Sequence, residues 1–272
     1  MTDLESRTRA FAALHEHGCF VMPNPWDVGS ARMLESCPFP ALATTSSGFA
    51  WSVGRADNHV TLEQALEHFS TIAAAVKVPV NGDFERGFAA AADDVYVNVT
   101  RAVATGVSGL SIEDSTGLTE DLLFAFELAV DRIRAARKAI DDSGTGVLLT
   151  ARTEGFIVDR PDLPETIRRL RAFREAGADC LYAPGLRDFG DIRAVVDAVA
   201  PAPVNVLLHS NFATVSDLAS LGVRRVSVGG ALARVAWSGV LRAVEALMSD
   251  GTVEAFGKSI GGSKLDQLFS GL

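Results

Sequence analysis

Three cysteines in 272 residues, Cys19, Cys37 and Cys180, are odd in number, scattered among apolar neighbours and without metal-ligand spacing. That excludes a disulfide framework and a thiolate metal site, and leaves reduced core thiols. No apolar run is long enough to span a bilayer, and the opening MTDLESRTRAF is charged where a signal peptide carries its apolar core. A cytoplasmic protein with no membrane partner is therefore expected. Positive charge is scarce, with 25 Lys and Arg against 34 Asp and Glu and a net charge of -9. Such a chain offers no basic field to a phosphate backbone, which excludes nucleic acid as a partner. An anionic small-molecule substrate would need local positive charge from a metal or an arginine. The composition, 48% hydrophobic and 22% charged, is that of a globular chain with a large core.

Apolar period and turn residues predict the elements. Residues 3–17 read as an amphipathic helix with Leu4, Phe11 and Leu14 on one face. Eight short strand-like runs follow: CFVMP, ALATT, VPVNGDF, VSGLSIED, VLLTART, ADCLYAP, PVNVLL and RRVSVGG, each followed by a helical segment. Asp27 or Ser30 is placed to cap the first of these helices, and Thr61 with Gln64 forms a capping box before another. SSGFAWSVGRADN, rich in glycine, serine and aromatics, reads as a loop suited to close approach to a ligand. ATGVSGLSIED, EAGADCLYAPG and SLGVRRVSVGG repeat one layout, a glycine ending a helix shortly before a strand begins. Eight consecutive units predict a (β/α)8 TIM barrel over about residues 18–248 of a single domain 1–272, rather than a doubly wound sheet.

A barrel presents its chemistry at the C-terminal ends of its strands. VPVNGDFERGF delivers Asp83 and Glu85, which point the same way if the strand persists that far, and SIEDS delivers Glu113 and Asp114. Four carboxylates converging on one small volume repel each other unless a cation sits among them. A hard divalent ion suits oxygen ligands, with Mg²⁺ first and Mn²⁺ as its substitute; ordinary solvated strand-end acids are the alternative. Thr45, Ser46, Ser47 and Gly48 bring hydroxyls and amides suited to a carboxylate. Arg152, after the apolar VLLTA, must emerge among the acids, where it grips substrate or bridges to Glu113 or Glu154. Asn205, Ser227, Gly229 and Gly230 complete the rim. His209 is an acid–base candidate or a plain loop residue.

Taken together, NPWDVGSAR, TTSSGFAWSVG, PVNGDFERGF, GLSIEDS, LTART and GVRRVSVGGALAR resemble the isocitrate lyase and phosphoenolpyruvate mutase superfamily, on its phosphonomutase-like branch. The resemblance implies an α/β barrel, commonly tetrameric with its last helix exchanged between paired subunits. It also implies Mg²⁺ holding a 2-oxo carboxylate or its enolate while a carbon–carbon or carbon–phosphorus bond is made or broken. By it, Asp83 is the direct metal ligand, Glu85 acts through water where many members have a second aspartate, and Asp57 and Glu113 complete the outer shell. Ser47, Gly48 and Phe49, beside Thr45, match the segment that grips the substrate carboxylate. Arg152 matches the substrate-binding arginine, and Asn205 is a further substrate contact.

One segment departs from the family pattern. STGLTEDLLFAF lacks the lysine and cysteine of the lyase branch's gating loop and the lysine and asparagine of the mutase branch. The expected function is Mg²⁺-dependent, lyase-like cleavage of a carbon–carbon bond in a small 2-oxo or 2-hydroxy dicarboxylate through a metal-bound enolate, as in oxaloacetate-type decarboxylation. Arg152, Glu113 and His209 are its catalytic candidates. A phosphoenolpyruvate or carboxyphosphonoenolpyruvate phosphonomutase, or a phosphonopyruvate hydrolase, is the alternative within the class. A non-catalytic metabolite-binding or assembly barrel is the alternative outside it. Beyond the eighth unit, a helical extension over residues 251–272 carries Val253, Phe256, Ile260, Leu265, Leu268 and Phe269. Those residues need a partner surface, and a homodimer or homotetramer is expected.

Overall fold

The computed structural model describes residues 3–270, so the tip of the expected C-terminal extension, 271–272, lies outside the described residues. Eight strands pair in parallel: β1 (Phe20–Met22), β2 (Leu42–Ala43), β3 (Val80–Asp83), β4 (Gly109–Glu113), β5 (Leu148–Arg152), β6 (Cys180–Tyr182), β7 (Val204–Leu207) and β8 (Arg225–Ser227). Their order, β1-β8-β7-β6-β5-β4-β3-β2, makes a nearly closed (β/α)8 TIM barrel. Helix α1 (Asp3–Leu14) precedes the first strand. Between strands run α2 (Val28–Glu35), α3 (Ser46–Ser52), α4 (Leu62–Ala75), α5 (Ala92–Val103), α6 (Phe126–Ser143), α7 (Leu163–Glu175), α8 (Phe189–Val199) and α9 (Val215–Ser220). After β8 come α10 (Ala231–Ser249), α11 (Glu254–Gly257) and α12 (Gly262–Ser270). No described helix is long and apolar enough to cross a membrane.

The seam between β1 and β2 is closed by single bonds rather than a ladder. Ala43 donates its N–H to the Pro23 carbonyl at 3.1 Å. The buried Asn24 amide donates to the Thr44 carbonyl at 3.0 Å, and its Oδ1 accepts from the Val228 and Gly229 amides, each at 2.9 Å. One side chain thus joins the ends of β1, β2 and β8.

Two apolar layers hold the barrel. Phe69, Ile72, Leu110, Ile112, Leu149, Leu170 and Phe173 pack strands against helices. Phe11, Phe20, Met22, Ala41, Ala43 and Leu148 close the N-terminal mouth beneath α1. Phe11 is fully buried there, a contact of about 1.5–3 kcal/mol by transfer of its ring from water. Above that plug the buried residues turn polar, with Asn81, Thr150, Asn205 and Arg225, where a purely structural barrel would be filled by branched apolar side chains.

The repeated helix–glycine–strand layout is present. Gly106, Gly177 and Gly222 follow α5, α7 and α9 with φ of +89, +101 and +85, a left-handed conformation that L side chains rarely adopt. Both capping readings are also present. Asp27 accepts from the Ser30 amide at 2.6 Å while Ser30 returns a bond to the Asp27 amide, and Thr61 and Gln64 form the expected box.

One expectation is corrected. The segment read as a loop, SSGFAWSVGRADN, opens with helix α3, which Thr45 caps by accepting from the Gly48 amide. A Cβ at Gly48 would stand 2.6 Å from Thr45 Cγ2 and 3.0 Å from Trp26 Cβ, so the glycine serves a close approach between helix and wall. Serines and a glycine, poor in helix interiors, are here the material of a cap and a first turn.

Candidate active site

The strand ends enclose a cavity of about 140 Å³ at the C-terminal face. Typical ligand pockets hold about 300–1,000 Å³, so this one suits a small acid. Thr45, Ser47, Asp57, Asp83, Arg152 and Asn205 line it, as do Tyr182, Ser227 and Arg225. Of the other candidates, Gly48, Phe49, Glu85 and Glu113 stand behind the wall rather than on it.

Asp83 is held from three sides. Its amide donates to Thr44 Oγ1 at 2.8 Å, its Oδ2 accepts from the Ser46 amide at 3.0 Å, and Ser111 Oγ lies 3.5 Å from Oδ1. Arg152 faces it, Nη1 standing 3.6 Å from Asp83 Oδ1 and 3.1 Å from Glu113 Oε2, while Nε bonds Glu154. The Tyr182 ring lies under the guanidinium, 5.4 Å from Cζ. The pairing follows from register, since Arg152 is opposite Glu113 on β4 and Tyr182 on β6. Arg152 therefore bridges to both acids named for it in the sequence, and also lines the cavity.

Burial pushes the Glu113 and Glu154 carboxyls up, and Arg152 pulls them back. Burial also opposes the charge on Arg152, but Glu113 and Glu154 outweigh it and keep the guanidinium protonated. One guanidinium cannot neutralise Asp83, Glu113 and Glu154 together, so the wall carries an excess of acid. Asp57, at the rim, is pushed up by loss of water and then by Asp83.

Two of the four converging carboxylates behave otherwise than the spacing implies. β3 ends at Asp83, and Glu85 has φ 45, so its side chain does not follow the strand alternation. It is 4% exposed, its Oε1 has no hydrogen-bond partner among the described residues, and burial followed by Asp83 pushes its carboxyl up to about 7. Asp114 turns away from the cavity altogether, a correction to the convergence of all four. It accepts from Thr153 Oγ1 at 2.8 Å and the Glu154 amide at 2.9 Å, and pairs with Arg169 at 3.0 Å. Adjacent residues on a strand face opposite sides, so Glu113 and Asp114 cannot share one pocket.

Among the described residues, no three Asp, Glu, His or Cys side chains stand close enough to cage a metal ion by themselves. The donor set fits a different kind of site, one direct carboxylate with the rest of the shell from water, as Mg²⁺ prefers. Asp83 lines the cavity with oxygens not consumed by its partners, and the excess of acid around it favours a divalent cation.

The structure does not bring His209 to the cavity wall. Its Nε2 lies 3.2 Å from Arg187 Nη2, and burial, with Arg187 and Arg234, lowers its pKa. Phe49 stacks on His68, ring centroids 4.0 Å apart, which sets the floor under residues 47–49. Tyr182 and Arg225 were not singled out from the sequence. Burial pushes the Tyr182 phenol up to about 12, so it stays protonated at the wall. The sequence signal for both was alternation, since each lies within a short strand whose neighbouring residue faces the other way.

Residues 11–248 match the family model of phosphoenolpyruvate phosphomutase. A candidate lyase/mutase from Burkholderia cenocepacia J2315 superposes with a TM-score of 0.96 at 43% identity, over 99% of this chain and 98% of that one. Oxaloacetate decarboxylase of Pseudomonas aeruginosa is 29% identical over 240 residues, 84% of this chain and 80% of its own. A 2,3-dimethylmalate lyase of the same superfamily superposes with a TM-score of 0.84 at 27% identity, over 98% of this chain and 94% of that one.

Proposed function

This chain belongs to the phosphoenolpyruvate phosphomutase family, within an enzyme superfamily of lyases and mutases, and from that premise we propose that it cleaves a carbon–carbon bond in a small 2-oxo or 2-hydroxy dicarboxylate. Decarboxylation of an oxaloacetate-like acid is the reaction the site supports best. The observation that carries this reading is the pairing of an acid-rich wall at Asp83 with Arg152, in a cavity to which no residue of the loop 115–125 contributes.

Asp83 would hold a divalent ion, with Asp57, Glu85 and Glu113 supplying negative charge around it, and when bound the ion would supply Lewis-acid charge for a developing oxyanion. Asp83 orients that charge and holds the start of α3 through Ser46. Ser47, on the cavity wall, orients the retained carboxylate, and Asn205 offers the amide hydrogen that its 2.9 Å bond to Ser227 Oγ leaves free. Arg152, fixed by Glu113 and Glu154, draws the substrate anion and stabilises negative charge as the bond to the leaving carboxylate breaks. Carbon dioxide departs, the electron pair passes to the 2-oxo oxygen, and a proton then adds at carbon. The proton comes from solvent water or from the Tyr182 hydroxyl, which stays protonated at the cavity wall. The oxaloacetate decarboxylase relative supports this choice of substrate.

The test is a panel of oxaloacetate, isocitrate, 2-methylisocitrate and phosphonopyruvate, each with and without Mg²⁺ or Mn²⁺. Metal-dependent release of pyruvate from oxaloacetate is expected. Robust cleavage of either isocitrate that survives replacement of all three cysteines by alanine would overturn the reading. Turnover of phosphonopyruvate alone would select the phosphonomutase or hydrolase reading, which the family model favours.

A further inference from the structure

We propose that Arg225 selects the charge of the ligand: it is a buried cation lining the cavity, without a carboxylate partner among the described residues, and it favours a substrate carrying a second negative charge. The inference rests on the reading that this cavity holds a dicarboxylate substrate, and it adds the residue that discriminates the second charge.

Arg225 is 1% exposed. Its side chain bonds three groups, Asn205 Oδ1 at 2.9 Å, Thr150 Oγ1 at 2.9 Å and His15 Nε2 at 3.3 Å. None of the three brings negative charge. His15 Nδ1 lies 2.8 Å from the Phe11 carbonyl and must donate there, so Nε2 faces Arg225 as the lone pair of a neutral ring. The other arginines near the site are compensated: Arg152 by Asp83, Glu113 and Glu154, and Arg169 by Asp114 and Glu165. Arg132, as deeply buried, is satisfied by three backbone carbonyls and lines none of the described cavities. Arg225 alone of these combines burial, neutral partners and a place on the wall of the cavity that also holds Asp83.

A charge buried without a counter-charge is costly, and the cost falls when an anion enters beside it. The cavity is therefore polarised, with acid on the β3 and β4 side and a cation on the β8 side. With a divalent cation at the acidic end, a dianion lying across the cavity would meet positive charge at both ends. Nε and both terminal nitrogens of Arg225 already have partners, so it acts through its field rather than by a two-point grip. That distinction matters for a decarboxylase, because tight pairing of the departing carboxylate would hold it back.

Binding, not turnover, tests this. Oxalate, a dianion, and pyruvate, a monoanion, are titrated calorimetrically in saturating Mg²⁺ into the full-length protein and into Arg225→Met and Arg225→Lys. The Met variant should lose oxalate affinity by about tenfold or more, as expected for removal of a charge at short range in a dry site, with a smaller loss for pyruvate. The Lys variant should restore most of the oxalate-to-pyruvate ratio. Thr150→Asp, which sets a carboxylate against Arg225 without removing it, should lower the ratio in the same way and serves if the Met variant does not fold. An unchanged ratio in a folded Met or Asp variant, or a Lys variant as impaired as Met, overturns the proposal. If the ratio falls as expected but wild-type protein does not turn over oxaloacetate, the proposed reaction fails and the role of Arg225 stands.

Discussion

Ser46 donates its backbone N–H to Asp83 Oδ2 over 3.0 Å, which ties the first residue of α3 to the last residue of β3. The proposed metal ligand and the segment proposed to orient the substrate are thereby one mechanical unit. Asp83→Ala removes both the ion's direct oxygen and the acceptor for Ser46, so Mg²⁺ affinity should fall below detection and kcat/KM by about 10³-fold or more. Asp83→Asn keeps an acceptor for Ser46 but not the charge. It should retain thermal stability to within about 1 kcal/mol and still lose Mg²⁺ binding. Calorimetric Mg²⁺ titration with parallel thermal unfolding separates the two variants, and unchanged Mg²⁺ affinity in Asp83→Ala would remove Asp83 from the metal site.

Asp83 is legible in the sequence because the end of a buried strand has few uses for a carboxylate. Arg152 is legible for the same reason, and the eight strand–helix units follow from local pattern. What is not legible depends on distant partners. Asp114 looks like a site acid beside Glu113 until Arg169, 55 residues on, is seen to hold it. Arg225 stands second in the strand-like run RRVSVGG, and nothing in that run separates it from Arg224 beside it. Its place inside the barrel is set by Asn205 on the neighbouring strand and by His15, 210 residues away. Glu85 shares the two-residue spacing of a strand pair, yet the chain turns at φ 45 there, and FERG gives no warning because the glycine that relieves a turn stands two positions later.

His15 gives a pH prediction with a definite sign. Burial, then the charge on Arg225, lowers its pKa from the ordinary 6.5 to about 3. Between those values the unfolded chain binds a proton that the folded chain refuses, so stability falls as pH drops from 6.5 toward about 3 and is independent of this residue above that window. The loss should reach about 2–4 kcal/mol, after allowance for the ring's partial access to water. In His15→Gln the side chain can still accept from Arg225 and donate to the Phe11 carbonyl, but does not titrate. Urea unfolding at a series of pH values should show a flatter profile, with the residual slope from His68, whose pKa burial lowers to about 4. An identical slope in wild type and variant would mean that His15 is not held neutral.

Exposed apolar residues on α10 to α12 point to a second copy of this chain. Trp237, Val240, Leu241, Val244 and Met248 recur at helical spacing on α10, and Met248 is 82% exposed. Val253, Phe256, Ile260 and Phe269 continue the exposed surface, and neither α11 nor α12 contains a buried residue. At α10 the stripe meets Trp51 in an apolar groove of about 500 Å³ that also holds Arg55 and Arg234. A contiguous patch of this kind is unusual on a monomer, and covering it between two copies would bury area on the order of the 1,600 Å² of a standard interface. Truncation after Gly251 removes α11 and α12 and with them part of this apolar surface, so the shortened chain should dissociate or precipitate while the intact chain sediments as a dimer or tetramer. Because the truncation spares every cavity-lining residue, the soluble fraction should keep its Mg²⁺ affinity to within about threefold. Sedimentation velocity on both chains decides the matter: a truncated protein that kept the subunit number of the intact one would place the interface elsewhere on the barrel.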